Sequence, residues 1–423
     1  MRYFYSALIY LLRPIAVAVV LWRGLRNPRY WAGLGERFGF GLSLSSTPTL
    51  WVHAVSLGEV TAAAPLIRAL RAGYPQIPVV LTTATPTGRE RAQALFGDSI
   101  VVRYVPYDTP GSMHRFVARV RPRLVIVMET ELWPNLFNEC RRRGIPVVLA
   151  NARLSLQSVA RYRRFGGLFR SVLSDSAQVA AQSAEDAERF IAIGADRNRT
   201  HVIGNLKFDI SIDAAVVEHG RELRAAYWGT RPVWIAGSTH AGEEEPVLTA
   251  HTDLQCDLAR ALLLLVPRHP ERFEAVADLL SRRGFRYERR SSGSAVRPDT
   301  QVLLVDTVGE LAALYASVDV AFVGGSLVPV GGHNLLEPAA LGVPVITGPY
   351  QSNGKEIAQL LLQEGAVLEV ADGPELTAVL KALFADPERR RRMGLSGRRA
   401  VEANRGSVAR LLELVEPILS AGR

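Results

Sequence analysis

The sequence predicts an α/β fold built twice, as two parallel, doubly wound sheets in tandem. Three observations predict it. The chain has 423 residues, too many for one ordinary core and suited to two domains. Short β-branched or apolar runs alternate with stretches of helical periodicity, the pattern of a parallel sheet covered on both faces. That alternation then restarts near mid-chain. Hydrophobic residues make up 48% and charged residues 22%, which excludes a disordered chain.

Residues 4–22 form an apolar stretch broken only by Ser6, Arg13 and Pro14. Its length approaches the ~20 residues that cross a bilayer. No small-residue cleavage site follows, and Arg23, Arg26, Arg29 and Arg37 lie beyond it. It therefore reads as an uncleaved N-terminal membrane-anchor helix, spanning or lying in the interface, with the remainder on the cytoplasmic side. A helix docked on the domain is the alternative. Residues 50–55, 78–83, 124–128, 146–150 and 178–181 read as buried strands of the first half. Residues 233–236, 261–266, 301–305, 320–323 and 344–347 read as those of the second. Periodic stretches such as 60–72 and 115–120 lie between. The boundary falls near 204–215, and the arginine-rich tail from 374 to 419 reads as helical.

Net charge is +9, carried mostly by arginine. The arginines are scattered, with no basic helix interleaved with aromatics, so nucleic acid is not the expected partner; a membrane surface or phosphorylated substrate fits better. The two cysteines, Cys140 and Cys256, lie far apart, which excludes a disulfide framework and points to a reducing compartment.

In doubly wound sheets, ligands bind beyond the carboxyl ends of the strands, and the unusual residues fall there. Ser56-Leu57-Gly58-Glu59 follows the first strand at a helix start; Glu59 is placed as a general base or as a complement to the helix dipole. Glu129-Thr130-Glu131-Leu132-Trp133 follows another strand, and alternation puts both carboxylates on one side if the strand continues that far. Arg153 follows the next strand, with a planar fork for a carboxylate or phosphate, or for a salt bridge within the domain. Lys207 lies at the junction, in Gly204-Asn205-Leu206-Lys207-Phe208-Asp209. In the second half, Gly237–Glu244 is a small-residue turn, and Arg268 and His269 follow Pro267 at a strand end. Gly324-Gly325-Ser326 leads to Gly331-Gly332-His333-Asn334, read as opening a helix with free amides for a nucleotide phosphate, and Glu337 is placed for ribose hydroxyls. No metal-ligand cluster or metal motif occurs, so neither a metal nor a cofactor is expected.

Taken together, H-A-x-S-x-G-E, M-E-T-E-L-W-P-N, N-A-R-L-S, G-N-L-K-F-D, V-P-R-H-P-E-R-F and G-G-H-N-x-L-E-P, in that order, resemble the 3-deoxy-D-manno-octulosonic acid (Kdo) transferases of Gram-negative lipopolysaccharide synthesis. The resemblance covers nearly the whole chain, including Gly35-Glu36-Arg37-Phe38-Gly39. It implies a GT-B glycosyltransferase fold, two Rossmann-like domains facing across a cleft. Residues 1–25 would be the anchor and 26–207 the acceptor-binding domain. Residues 208–423 would bind the nucleotide sugar, with room for the last helix to cross back. It implies a CMP-Kdo donor, a lipid A precursor (lipid IVA) as acceptor, and a metal-independent, inverting transfer at the cytoplasmic side of the inner membrane. Glu59 matches the catalytic base. Pro267, Arg268, Val308, Gly309, Glu310, Asn334, Leu335, Leu336 and Glu337 match CMP-holding positions. Ser56, Glu131, Arg153 and Lys207 are transition-state or acceptor-side candidates. Competing readings are a transferase for another nucleotide sugar and a non-catalytic sugar-nucleotide binding protein at the membrane.

Overall fold

The computed structural model describes residues 1–41, 47–164, 166–173, 177–210, 212–293 and 296–420. Two compact units emerge. The first comprises Met1–Asp209 with Asn404–Arg423, the second Ile210–Ala403.

The sheet of the first unit is seven-stranded and parallel: β1 (Thr49–His53), β2 (Val79–Thr83), β3 (Val101–Tyr104), β4 (Pro122–Met128), β5 (Val147–Ala152), β6 (Ala177–Ala181) and β7 (Thr200–Val202), in the order β3-β2-β1-β4-β5-β6-β7. Its helices are α1 (Arg2–Arg26), α2 (Leu57–Gly73), α3 (Pro86–Phe96), α4 (Pro110–Val120), α5 (Pro134–Arg142), α6 (Leu156–Arg164), α7 (Gly166–Leu173) and α8 (Ala184–Ala192). Side chains alternate across the strands. Leu50, Val52, Ile126 and Val148 share one core with Leu66 and Ile67 of α2. Trp51, Val125, Val127 and Leu149 share the other with Phe116 of α4 and Phe137 of α5. Each such side chain contributes about 1.5–3 kcal/mol on burial. Because both faces are covered, the central strands are continuously apolar, which is why they read plainly in the sequence.

The second unit repeats the architecture. Its strands are β8 (Val233–Thr239), β9 (Leu262–Pro267), β10 (Tyr287–Arg289), β11 (Val302–Leu304), β12 (Val320–Val323), β13 (Val345–Thr347) and β14 (Val367–Glu369), in the order β10-β11-β9-β8-β12-β13-β14. Its helices are α9 (Ala214–Leu223), α10 (Glu244–Asp257), α11 (Phe273–Arg282), α12 (Leu311–Tyr315), α13 (Leu336–Ala340), α14 (Lys355–Gln363), α15 (Gly373–Ala385) and α16 (Pro387–Ala403). The chain then returns to the first unit as α17 (Ser407–Ser420), whose Leu411, Val415 and Leu419 enter the core beside α2. Asp209 fixes that return by accepting the amides of Gly406 and Val408.

Each sheet reverses strand order beside its first strand, between β1 and β4 and between β8 and β12. Those switch points are where an open α/β sheet leaves a crevice for a ligand. Two sequence expectations are corrected here. β4 ends at Met128, so strand alternation does not carry on to Glu129 and Glu131. The helix expected to open at Gly331–Asn334 begins only at Leu336, whose amide donates to Asn334 Oδ1 at 3.1 Å, and it is five residues long.

Candidate active site

At the first switch point, β1 runs out into Ser56, which N-caps α2. Ser56 Oγ accepts the Glu59 amide at 3.3 Å and donates to Glu59 Oε1 at 3.0 Å. The Val55 amide donates to Oε2 at 3.0 Å. This is a variant of the capping box: the acid sits at the third helical position but accepts the amide of Val55, one residue before the cap, and the hydroxyl of Ser56. It holds Glu59 7% exposed. Burial pushes the Glu59 carboxyl up to about 8; the Val55 bond opposes this, and the charges of Glu129 and Glu131 reinforce it. Three carboxyls thus share one field, on loops from two adjacent strands.

Glu129 adopts φ of 53° and Asn151, on neighbouring β5, φ of 55°. Left-handed backbone in non-glycine residues is strained and concentrates at functional sites. Glu129 Oε2 meets Arg153 Nε at 3.0 Å, and Oε1 meets Lys207 Nζ at 4.0 Å. Asn151 Oδ1 takes the Leu206 amide at 2.9 Å and so seats the turn that carries Lys207. Glu131 accepts Trp133 Nε1 at 2.7 Å and is also pushed up, first by burial. His53 is fully buried against Trp133, its Nδ1 2.9 Å from Thr82 Oγ1; burial lowers it to about 3, so it is neutral.

In the second unit the glycine-rich run is organised differently from the sequence expectation. The buried carboxylate of Glu243 takes the amides of His240 and Gly325 on Oε2 (2.9 and 2.7 Å) and those of Ser326 and Leu327 on Oε1 (both 2.9 Å). A protein carboxylate already occupies the amide nest at Gly325–Leu327. Beyond it, His240 Nε2 lies 2.8 Å from His333 Nε2, and His269 packs edge-on against His240. Burial lowers His333 to about 4, with Arg268 adding repulsion, and lowers His240 as well. The Arg268 side chain is exposed on the loop after Pro267. Val308 stands 79% exposed beside Gly309, whose φ is 98°. Glu310, expected to hold the nucleotide, is engaged by Arg290 (2.8 and 3.3 Å) and by Thr307 Oγ1 (2.5 Å). Leu335 and Leu336 are buried side chains, leaving only their backbone to a ligand. Asn334 Nδ2 donates to Glu337 Oε1 at 3.1 Å.

Comparison with known proteins gives this arrangement a family. Residues 32–210 match the family model described as 3-deoxy-D-manno-octulosonic-acid transferase. A 3-deoxy-D-manno-octulosonic acid transferase of Haemophilus influenzae is 43% identical over 99% of this chain and 99% of its own. The chain belongs to the Kdo transferases. The Kdo transferase of Bordetella pertussis is 39% identical over 96% of this chain and 97% of its own. MurG of Acinetobacter baumannii superposes with a TM-score of 0.55 at 14% identity, covering 88% of this chain and 99% of that chain. That likeness speaks to fold alone, and the fold is GT-B. As a Kdo transferase the chain is a glycosyltransferase of lipopolysaccharide synthesis.

Of the residues singled out in the sequence, the first unit gathers Ser56, Glu59, Glu131, Arg153 and Lys207 around Glu129. The second gathers Arg268 near His240 and His333, and separately joins Asn334 to Glu337. Sequence reasoning missed Glu243 and Asp108. Asp108 accepts the amides of Asn135 (3.0 Å) and Leu136 (2.8 Å) and so caps α5. Glu243 had one available signal, its place in the turn before α10. Asp108 had none, because its partners lie 27 and 28 residues away.

Proposed function

We propose that this Kdo transferase takes Kdo from CMP-Kdo and places it on a lipid A precursor by a metal-independent, inverting displacement with Glu59 as general base. The observation that carries the reading is the Glu59 carboxyl: buried at the first switch point, held by two hydrogen bonds, and pushed up to about 8. A base works best with a pKa near the operating pH. Ionised Glu59 accepts the proton of the attacking acceptor hydroxyl while the bond from the sugar's anomeric carbon to the CMP phosphate breaks. Arg153 and Lys207 temper the charge of Glu129 and leave a cationic rim for an acidic sugar. In the second unit, Arg268, the loop from Val308 to Glu310 and the backbone from Asn334 to Glu337 hold the CMP, with Pro267 shaping the Arg268 loop. Arg268 offsets phosphate charge on departure.

α1 supports a membrane setting. It is the one helix among the described residues long and apolar enough to cross a bilayer, and little of it is buried. Tyr5 Oη donates to Asp108 at 3.0 Å, Ser6 Oγ to Asn135 at 2.9 Å, and Tyr10 Oη accepts the Gly111 amide at 3.4 Å. Held along its first half, with Leu11, Ile15, Trp22 and Leu25 exposed, α1 is read as lying in the interface on the cytoplasmic face of the inner membrane. The test is transfer itself: CMP-Kdo and a tetra-acylated lipid A precursor, no divalent metal, and products read by mass spectrometry. An acceptor unchanged in mass sinks the reading.

A further inference from the structure

Arg37 is a buried cation short of a counter-ion. The residue is 5% exposed, and its Nε is enclosed with no hydrogen-bond partner. Nη2 donates to the Ala84 carbonyl at 3.2 Å, and the guanidinium lies 4.2 Å from the Tyr104 ring centroid. Among the described residues no carboxylate reaches ion-pair distance of it. The adjacent acid, Glu36, is already shared between Arg89 (3.2 Å), Arg103 (3.7 Å) and the Tyr104 amide (2.7 Å). Three guanidiniums therefore stand around one carboxylate, and Arg103 Nε is also enclosed without a hydrogen bond. Tyr107 donates its amide to the Arg37 carbonyl at 2.8 Å, and its hydroxyl is enclosed and unpartnered. The titratable groups facing Arg37 are Tyr30, Glu36, Tyr104 and Tyr107. An unpaired buried charge costs several kcal/mol, so such a site calls for an anion.

The surroundings indicate where an anion would sit. Ala84 directly precedes Thr85, the N-cap of α3, so the guanidinium lies at the positive end of that helix. Pro86 has no amide proton, and the Gly88 amide goes to Thr85 Oγ1, which leaves the Thr87 amide for an outside acceptor. The Ala84 amide donates to the Val55 carbonyl at 3.0 Å, and the Val55 amide donates to Glu59 Oε2 at 3.0 Å. The backbones of two residues, Ala84 and Val55, thus link the Arg37 guanidinium to the candidate base. Arg37 also lies only a short segment beyond the end of α1.

We propose that Arg37, with the start of α3, binds a phosphate monoester of the acceptor and so registers the acceptor hydroxyl against Glu59. The proposal rests on the lipid A precursor reading. A membrane phospholipid head group offers related chemistry, and the test separates the two. Full-length protein carries Arg37→Met, similar in volume and uncharged, or Arg37→Lys. Removal of an unpaired buried charge leaves the fold intact, which thermal unfolding checks.

With the bis-phosphorylated acceptor in phospholipid-free detergent, R37M raises the acceptor KM about 10-fold to 100-fold, the size of a charge-assisted hydrogen bond. The CMP-Kdo KM stays unchanged, and R37K falls between. An acceptor lacking the relevant phosphate is used equally poorly by wild type and R37M. Detergent kinetics unaffected by R37M, with losses only on anionic vesicles, would assign the site to a head group and overturn the acceptor assignment. A separate measurement needs no transfer: millimolar inorganic phosphate raises the Tm of wild type over chloride at equal ionic strength, but not that of R37M. Equal protection of both overturns the subsite. If wild type transfers no Kdo, the functional reading fails, while phosphate protection still decides the subsite.

Discussion

Glu59 is the proposed base, and its surroundings fix what each change there should do. A carboxyl pushed up to about 8 is mostly protonated at neutral pH. Because only the ionised form accepts a proton, kcat/KM should rise with pH on an acid limb centred near that value. A pH profile flat from acid to alkaline would remove Glu59 as the base. Glu59→Gln keeps an acceptor for the Val55 amide, and the Ser56 hydroxyl can turn to accept. Its Tm should therefore move little while kcat/KM drops about 100-fold to 10,000-fold, the range for a lost general base. Glu129→Gln removes a neighbouring negative charge and frees Arg153 and Lys207 near Glu59. The acid limb should then shift to lower pH; a shift upward would mean the coupling is misassigned. These residues were legible in the sequence because each stands directly after an apolar strand, where a parallel sheet presents its ligand. Glu243 and Arg37 were not legible in the same way. Their meaning depends on partners such as Gly325, 82 residues from Glu243, and Ala84, 47 residues from Arg37.

Among the elements, the central strands were readable and the outermost were not. β3, β7, β10 and β14 escaped identification as strands, and they are the four edges of the two sheets. Edge strands are covered incompletely and need no continuous apolar run, so Tyr287-Glu288-Arg289 gives no strand signal. The glycine-rich loop after β12 misled for another reason. Its glycines do supply unusual backbone, with φ of 69° at Gly325, 108° at Gly331 and 74° at Gly332, but the Glu243 carboxylate takes the amides of Gly325, Ser326 and Leu327, and the helix starts only beyond Asn334. Glu243→Ala would leave four inward amides without their acceptor. It should destabilise the second unit by at least about 3 kcal/mol in chemical denaturation, where a solvated loop acid would cost almost nothing.

For the whole molecule, net charge and apolar surface act together. On the proposed reading, the +9 charge attracts an anionic bilayer and the exposed side of α1 supplies the apolar insertion. Leu11→Glu with Ile15→Glu should release the protein from anionic vesicles in a flotation assay and leave its unfolding midpoint in place. Retention on vesicles would show that α1 is not the principal contact. Transfer of Kdo onto a lipid A precursor with Glu59 as base is decided by one paired measurement. Wild type and Glu59→Gln are incubated side by side with CMP-Kdo and the tetra-acylated acceptor, without divalent metal, and products are weighed by mass spectrometry. The expected product is acceptor heavier by whole Kdo units with wild type and little or none with the variant. An unmodified acceptor with wild type, or equal transfer by both proteins, would contradict it.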